Sequence, residues 1–287
     1  MKEVKKEVLK NIFKERPKDS RKYDFGLLLV IGGSDFYSGS PALSALSAFR
    51  AGVDMVRVIA PKRAADIVAS FTPDLASYPL PGSYLSQDDL PTLLSMTEAA
   101  RVSSKGGEAV VIGGGMGRTE TTQKVILDYL SRIEIPAVID ADGIHAVSLK
   151  PEIISGKPFL LTPHSHEFFV LTGKNIDKAS LEEKITAVRD EAAKLKTVIL
   201  LKGEVDIISD GKEVSLNRTG SPLMTKGGMG DTLAGISGAM LARGIGVYQS
   251  AEASAYINGI AGEIAIKKYG ESVMTTDLIN AISEALK

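Results

Sequence analysis

The chain has 287 residues, of which 44% are hydrophobic and 24% are charged, with 34 Lys and Arg against 35 Asp and Glu. Its formal net charge of −1 creates no large field that would attract nucleic acid or an acidic membrane surface. The absence of cysteine excludes disulfides, thiolate zinc sites, iron–sulfur clusters and a cysteine nucleophile.

The N-terminal segment Met1–Lys18 places Val4, Val8, Ile12 and Phe13 at helical spacing. It has no uninterrupted apolar stretch followed by a small-residue cleavage site, so it does not predict a secretory signal. The longest apolar runs of the chain are far shorter than the ~20 residues that a membrane-spanning helix needs. The sequence therefore predicts a cytoplasmic protein that binds no membrane.

Short apolar runs alternate with longer helical patterns from residue 27 to residue 201. The predicted strands are Leu27–Ile31, Met55–Ala60, Ala109–Ile112, Ala137–Ile139, Phe159–Leu161 and Val198–Leu201. The predicted helices between them are Pro41–Gly52, Arg63–Ala69, Gln87–Val102, Thr119–Ile133 and Leu181–Lys194. Because the strands are apolar throughout rather than alternating, they predict a parallel sheet that is covered by helices on both faces.

The pattern changes after residue 201. Val205–Ser209 and Glu213–Asn217 flank Asp210-Gly211, which predicts two strands joined by a two-residue hairpin turn. Three predicted helices follow: Asp231–Arg243, Gln249–Tyr269 and Thr276–Leu286. No linker-like or repeated segment divides the chain, so we predict one α/β domain over residues 1–287.

Four of the predicted connections between elements are rich in glycine. They are Ile31–Ala42, Ile112–Arg118, Lys202–Asp206 and Lys226–Asp231. In open α/β sheets such loops gather at the carboxyl ends of the strands, where ligands bind. Free N–H groups at a helix start favour a phosphate there. The alternative is that these glycines only make turns and helix caps, and four such loops in one chain weigh against it.

Neither of two familiar phosphate-binding motifs is present. Arg118 stands where the dinucleotide fingerprint requires a third glycine after Gly113 and Gly115, and no P-loop sequence occurs anywhere. The fourth loop ends in Gly230-Asp231 at a predicted helix start. Two interpretations of Asp231 remain. It is either an ordinary carboxylate in the first turn of a helix, or a base that takes the proton of a substrate hydroxyl beside a bound phosphate.

Acidic side chains and histidines end two further predicted strands. Asp140 and Asp142 fit Mg²⁺ ligands, and they fit equally well as residues that end the strand and cap the next helix. Zinc is disfavoured, because His145, His164 and His166 are the only histidines and no cysteine supports them. We expect His164 to donate or accept a hydrogen bond to a substrate, and His166 to be an exposed residue at a helix start.

The motifs resemble those of the ADP/ATP-dependent NAD(P)H-hydrate dehydratases, a branch of the ribokinase-like superfamily. The resemblance covers nearly the whole chain, and the stretches that carry it are VIGGS…YSGSPALSALSAFRAGV, VIGGGMGR, VIDADGIHAV, LTPHSHEFFVLTG, VILLKGEVD and GGMGDTLAGI. Met229 departs from the Ser or Thr usual in the family, Gly114 from the usual Pro, and Gly143-Ile144-His145 from the usual Ala-Leu-Asn. The resemblance implies a three-layer α/β/α ribokinase-like fold with a central, mostly parallel sheet.

The resemblance also implies the roles of individual residues. Asp231 would be the catalytic base. Ala42, Gly117 and His164, with Asp231, would contact the hydrated nicotinamide nucleotide. The adenine nucleotide would be held by Lys202, Gly203, Glu204, Val205, Asp206 and Gly230. The backbone N–H groups of Gly228, Met229 and Gly230 would form an anion hole, and no residue is implied as a metal ligand.

The implied reaction is a repair reaction of a hydro-lyase. NADHX or NADPHX would be dehydrated to NADH or NADPH while ADP, or ATP, is consumed with Mg²⁺, and ADP would give AMP and phosphate. We expect ADP rather than ATP, and a homotetramer. A separate NAD(P)HX epimerase stays open as a partner, because this chain leaves no room for a second catalytic domain. The alternative functions are a small-molecule kinase of the hydroxyethylthiazole or hydroxymethylpyrimidine type that uses the same Asp231, and a nucleotide-binding protein without catalysis.

Overall fold

The computed structural model describes residues 1–287. Its strands are β1 (Lys2–Glu3), β2 (Leu27–Ile31), β3 (Met55–Pro61), β4 (Ala76–Leu80), β5 (Glu108–Ile112), β6 (Ala137–Ile139), β7 (Phe159–Leu161), β8 (Val198–Leu201), β9 (Asp206–Ser209) and β10 (Val214–Asn217). Its helices are α1 (Gly39–Arg50), α2 (Lys62–Phe71), α3 (Leu90–Ser103), α4 (Glu120–Arg132), α5 (Asp142–Ser148), α6 (Ser165–Thr172), α7 (Leu181–Leu195), α8 (Met229–Ala242), α9 (Val247–Tyr269) and α10 (Thr275–Ala285). None of the helices combines the length and the apolar character that a membrane span requires.

All ten strands form one sheet in the order β1-β10-β9-β8-β7-β6-β5-β2-β3-β4. Strands β2 to β8 run parallel to one another, and only the pairs β8–β9 and β9–β10 are antiparallel. The predicted mostly parallel sheet is therefore confirmed.

Helices cover both faces of the sheet, because successive side chains of each strand point to opposite faces. Leu28 and Val30 of β2 belong to a core cluster of 44 buried residues, shared with α1, α2, α8, α9 and α10. Leu27, Leu29 and Ile31 belong to a second cluster of 37 buried residues, shared with α3 to α7. This is the predicted three-layer α/β/α architecture.

The strand order reverses between β2 and β5. From β2 the chain moves outward through β3 and β4, and then returns to β5 on the other side of β2. Ligands of open α/β sheets bind beyond the carboxyl ends of the strands at such a reversal. The glycine loops that follow Ile31 and Ile112 lie at this position.

Two local predictions were wrong. The helical spacing in Met1–Lys18 corresponds to β1 and a single 3₁₀ turn at Lys6–Leu9, because the backbone here pairs with β10, as in the 2.8 Å bond from Val4 N to Leu216 O. The hairpin between β9 and β10 has a loop of four residues rather than two, because Ser209 pairs with Val214. The Asp210 side chain accepts the N–H groups of Lys212 and Glu213 inside this loop.

Small residues in α9 pack within the chain. A Cβ atom at Gly259 would overlap Thr219, and one at Gly262 would overlap the Met224 side chain. The small residues between Ser250 and Ala265 therefore allow the segment before α8 to lie close against α9.

Candidate active site

Asp231 lies in the first turn of α8, and this helix begins two residues earlier than predicted. The helix begins at Met229 after Gly228, which has a φ of +94°, a conformation that glycine adopts without strain. The N–H groups of Gly228, Gly230 and Asp231 have no acceptor within the protein, whereas that of Met229 donates to Lys226 O at 3.3 Å. Three N–H groups are thus available to an anion at the positive end of the helix dipole.

The Asp231 carboxyl group is enclosed by the other glycine loops. A Cβ atom placed on Gly114 would lie 3.0 Å from Asp231 Oδ1 and 3.0 Å from the Ser40 Cβ atom. The Ser40 hydroxyl donates a hydrogen bond to the Asp231 side chain, and the Ser44 hydroxyl donates to Asp231 O at 3.0 Å. The first, second and fourth glycine loops therefore meet at Asp231, as their positions in the sequence predict.

The environment of Asp231 makes it a base that titrates near neutral pH. The pKa of Asp231 is raised from 3.8 to about 7, mainly by burial and then by the nearby charge of Asp140. The Ser40 hydrogen bond and the Lys202 ammonium act in the opposite direction. A carboxyl group of this pKa exchanges protons readily at physiological pH, which suits general base catalysis.

Lys202 joins the third glycine loop to this cluster. Its Nζ atom is 2.8 Å from Asp140 Oδ1 and 3.6 Å from Glu167 Oε2, and its side chain is 20% exposed. A Cβ atom at Gly230 would lie 3.5 Å from Nζ. Burial alone lowers the pKa of Lys202, but the carboxylates of Asp140, Glu167 and Asp231 outweigh it and raise that pKa, so the ammonium is charged.

Asp140 and Asp142 point in different directions because of the residue between them. Ala141 has a φ of +47°, a strained conformation for a residue with a side chain. Asp140 accepts the Thr162 hydroxyl and the Lys202 ammonium, each at 2.8 Å. Asp142 accepts Gly117 N at 2.8 Å and Arg118 Nε at 2.7 Å.

These carboxylates do not fit a directly coordinated magnesium ion. Asp140 is already paired with an ammonium, and both oxygens of Asp142 are already occupied by N–H donors. The chain has no group of three or more His, Cys, Asp and Glu side chains that could hold a metal ion. Of the two interpretations of these aspartates, the structure favours the one in which they organise the polypeptide.

The three histidines form one row beside the cleft. The ring centroids of His164 and His166 are 6.2 Å apart, and those of His145 and His166 are 6.4 Å apart. His164 Nδ1 accepts the N–H groups of His166 and Glu167, while Glu167 accepts that of His164, so the two residues cap α6 reciprocally. His164 and His166 are both exposed.

The remaining predicted residues lie around the same cleft, with one difference. Ala42 is only 2% exposed and belongs to the core, so Ser40 is the residue of this turn whose side chain reaches Asp231. Gly117 packs against the Tyr84 ring, and its N–H group is bound to Asp142.

The turn after β8 is held by Asp206, whose carboxylate accepts Gly203 N at 3.1 Å and Asn217 Nδ2 at 3.0 Å. Burial raises the pKa of Asp206 to about 6, against the effect of these hydrogen bonds and of Lys202. Glu204 is exposed in this turn and Val205 is half-buried.

Three residues of the cluster were not identified from the sequence. Ser40, Thr162 and Glu167 lie beside residues that were identified, and their position after a glycine loop or a strand end is the only signal that marks them. The pairing of Asp140 with Lys202 spans 62 residues, and no local pattern indicates it.

Comparison with known proteins gives a family and a fold. A family model described as NAD(P)H-hydrate dehydratase matches residues 28–284. The bifunctional NAD(P)H-hydrate repair enzyme Nnr of Pyrobaculum aerophilum is 40% identical over 274 residues, which are 95% of this chain and 52% of that protein. The ADP-dependent (S)-NAD(P)H-hydrate dehydratase of Cenarchaeum symbiosum is 36% identical over 273 residues, which are 95% of this chain and 92% of that protein.

The chain spans about half the length of the curated relatives named as bifunctional. Among solved structures, a ribokinase-like superfamily protein from Enterococcus faecalis is similar with a TM-score of 0.82 at 24% identity, over 99% of this chain and 95% of that one. The predicted ribokinase-like fold is therefore confirmed.

Proposed function

The chain belongs to the NAD(P)H-hydrate dehydratase family, and from that premise we propose that it catalyses the ADP-dependent dehydration of (6S)-NADHX or (6S)-NADPHX. The products are NADH or NADPH, AMP and phosphate. The proposal rests on Asp231, whose carboxyl group has a pKa of about 7 and lies beside three free N–H groups at the start of α8. The name of the Cenarchaeum symbiosum relative supports ADP as the co-substrate.

The chemistry requires that a poor leaving group be converted into a good one. Hydroxide does not leave readily from the hydrated nicotinamide ring, whereas phosphate does. Asp231 would take the proton of the ring hydroxyl, and the oxygen would attack the β-phosphorus of ADP, releasing AMP. The ring nitrogen would then supply the electron pair that expels phosphate, and loss of a ring proton would restore the reduced nicotinamide.

The protein would stabilise the charge that develops during phosphoryl transfer. The N–H groups of Gly228, Gly230 and Asp231 point out of the start of α8, and each such donor typically contributes about 3 kcal/mol to a developing oxyanion. Lys202 places its ammonium next to Gly230. The turn Lys202–Asp206 would hold the nucleotide, and Gly117 and His164 would contact the substrate.

Magnesium would enter with the phosphate groups of ADP, since the carboxylates of the cleft are otherwise engaged. The relatives named as bifunctional are about twice as long as this chain, and their name indicates a second activity. We propose that a separate NAD(P)HX epimerase supplies that activity as a partner of this chain. The homotetramer stays a prediction.

The test is an incubation with NADHX, ADP and Mg²⁺. We expect the absorbance of NADH to appear together with one AMP and one phosphate for each NADH. A stable phosphorylated alcohol in place of NADH would identify a kinase that uses the same Asp231. If no nucleotide is consumed, both enzyme functions are wrong and the chain only binds nucleotides.

A further inference from the structure

Asp140 is a buried carboxylate to which the proposed reaction gives no role. It is 4% exposed and lies directly after β6. Its backbone N–H donates to Ile112 O at 3.1 Å, and its carbonyl accepts Gly143 N at 2.9 Å. The strained Ala141 that follows it turns the chain away from the strand direction. The position of the Asp140 carboxylate is therefore fixed from both sides.

The partners of this carboxylate direct it towards one atom. Oδ1 accepts both the Thr162 hydroxyl and the Lys202 ammonium, each at 2.8 Å. A buried carboxylate with no second function is costly unless it is paired. The pairing with Lys202 thus compensates the charge of Asp140, and Thr162 keeps its oxygen in place.

The same pairing fixes the end of a flexible side chain. The Lys202 backbone is held by the 2.8 Å bond from its N–H to Pro163 O, but its four-carbon stem has many conformations. Nζ is held between Asp140 and Glu167, and it lies beside Gly230, next to the free N–H groups at the start of α8. Of the two anchors, Asp140 is the closer by 0.8 Å.

We propose that Asp140 is a positioning residue which holds the Lys202 ammonium against Gly230, so that this cation faces the transferred phosphoryl group and the Asp231 base together. The proposal deepens the function proposed above and rests on it for the identity of the phosphoryl donor. The charged groups around Asp231 are Asp140 at the end of β6 and Lys202 at the end of β8, with the Ser40 hydroxyl of α1 as a hydrogen-bond donor. Glu167 of α6 acts through Lys202.

The variant Asp140→Asn tests the proposal, because it removes the charge with little change in shape. Asp140 raises the pKa of Asp231 more than Lys202 lowers it. The pKa of Asp231 should therefore fall in this variant even if the ammonium is released completely. We expect the acidic limb of the kcat/KM profile to move down by about half a pH unit or more, and the plateau of kcat to fall about tenfold or more.

A second readout does not depend on turnover. The Cγ resonance of Asp231, assigned by its loss in Asp231→Asn, reports the pKa of this group by carbon-13 NMR without any substrate. If the wild-type protein makes no AMP but the pKa of Asp231 falls in Asp140→Asn, the proposed reaction is wrong and the proposed link between Asp140 and Asp231 is right. If the pKa of Asp231 does not fall, the proposal for Asp140 is overturned whatever the reaction is.

Two further variants separate this role from others. Asp142→Asn removes a carboxylate from the same turn, but that carboxylate contacts Gly117 and Arg118, so the acidic limb should not move. Asp140→Glu keeps the charge and displaces it, so the limb should stay near its wild-type position while kcat falls. An Asp140→Asn variant that only requires more Mg²⁺, with an unmoved limb, would make Asp140 a metal ligand and overturn the proposal.

The test remains decisive if Asp140→Asn does not fold. Asp140→Glu is then compared with Thr162→Val, which retains the charge of Asp140 but removes the hydroxyl that orients it. Both should lower kcat while the pKa of Asp231 stays within about 0.3 units of wild type. Unchanged kcat in both folded variants would show that the position of the carboxylate is irrelevant.

Discussion

Replacing Asp231 by Asn should abolish turnover and make the protein more stable. The amide of Asn cannot take a proton from the substrate hydroxyl, so the chemical step loses its base. The N–H groups of Gly228, Gly230 and residue 231 remain in place, because they belong to the backbone. ADP should therefore bind to the variant nearly as well as to the wild-type protein.

The gain in stability follows from the raised pKa of Asp231. The unfolded chain ionises this carboxyl group near 3.8 and the folded protein near 7. Folding therefore opposes ionisation, and the free energy of unfolding decreases as the pH rises from about 3.8 to about 7 and is constant above that. At 1.36 kcal/mol per unit, the penalty is about 4 kcal/mol at pH 8 and under about 2 kcal/mol at pH 5. Asn carries no such penalty at any pH.

Urea unfolding of both proteins at pH 5 and pH 8 measures this difference. We expect Asp231→Asn to be more stable by about 2–4 kcal/mol at pH 8, with less than half of that gain remaining at pH 5. Asp177→Asn is the matched control, because Asp177 is exposed and its side chain accepts no hydrogen bond. It should change stability by no more than about 0.5 kcal/mol at either pH.

Two results would refute this reasoning. If Asp231→Asn is no more stable than wild type at pH 8, or gains equally at both pH values, the folded protein does not hold Asp231 at a raised pKa. Turnover within about tenfold of wild type would show that Asp231 is not the base.

Three further predictions concern the same cleft. The wild-type kcat/KM should rise about tenfold from pH 6 to pH 8, because Asp231 must be ionised and its pKa is about 7; a flat profile in stopped assays of AMP formation would contradict this. Lys202→Ala should weaken ADP binding about tenfold in calorimetry, since it removes the ammonium beside Gly230, and unchanged affinity would argue against that contact. Gly113→Ala should lower the free energy of unfolding by about 2 kcal/mol or more, because Gly113 has a φ of +130° and a Cβ atom would overlap Asp140 O. Gly39→Ala, with nothing within 4 Å of the new atom, should be nearly neutral, and thermal unfolding of both variants measures the difference.

The sequence was sufficient to predict the elements that are buried on both faces. Leu27–Ile31, Ala137–Ile139, Phe159–Leu161 and Val198–Leu201 occur in the structure with the predicted bounds, because a run of apolar residues can be buried only in the interior. Strand β4 was missed for the opposite reason. Its residues Ala76–Leu80 are mostly exposed and include Pro79, a composition that only an edge strand tolerates.

The site was predicted as far as backbone conformation decides it. Glycine is needed wherever a loop turns sharply or another loop approaches closely, so Gly113, Gly114 and Gly228 mark the cleft in the sequence. Side-chain partners are decided instead by the sheet order, which places the end of β6 two strands from the end of β8. Asp140 and Lys202 therefore meet although the sequence between them gives no indication of it.

The charge of the cleft follows from these placements and explains why the base works near neutral pH. Asp140, Glu167 and Asp231 face a single ammonium, that of Lys202, in a site that is proposed to receive a phosphate. Such a site attracts an anion through N–H groups rather than through lysines, which agrees with the net charge of −1. The excess of carboxylates has a second effect, because it opposes the ionisation of Asp231 and so raises its basicity. The unfavourable burial of the Asp231 carboxyl group and the strained backbone of Ala141 thus lie in one cleft. The two hydrophobic core clusters, one on each face of the sheet, offset their cost in folding free energy.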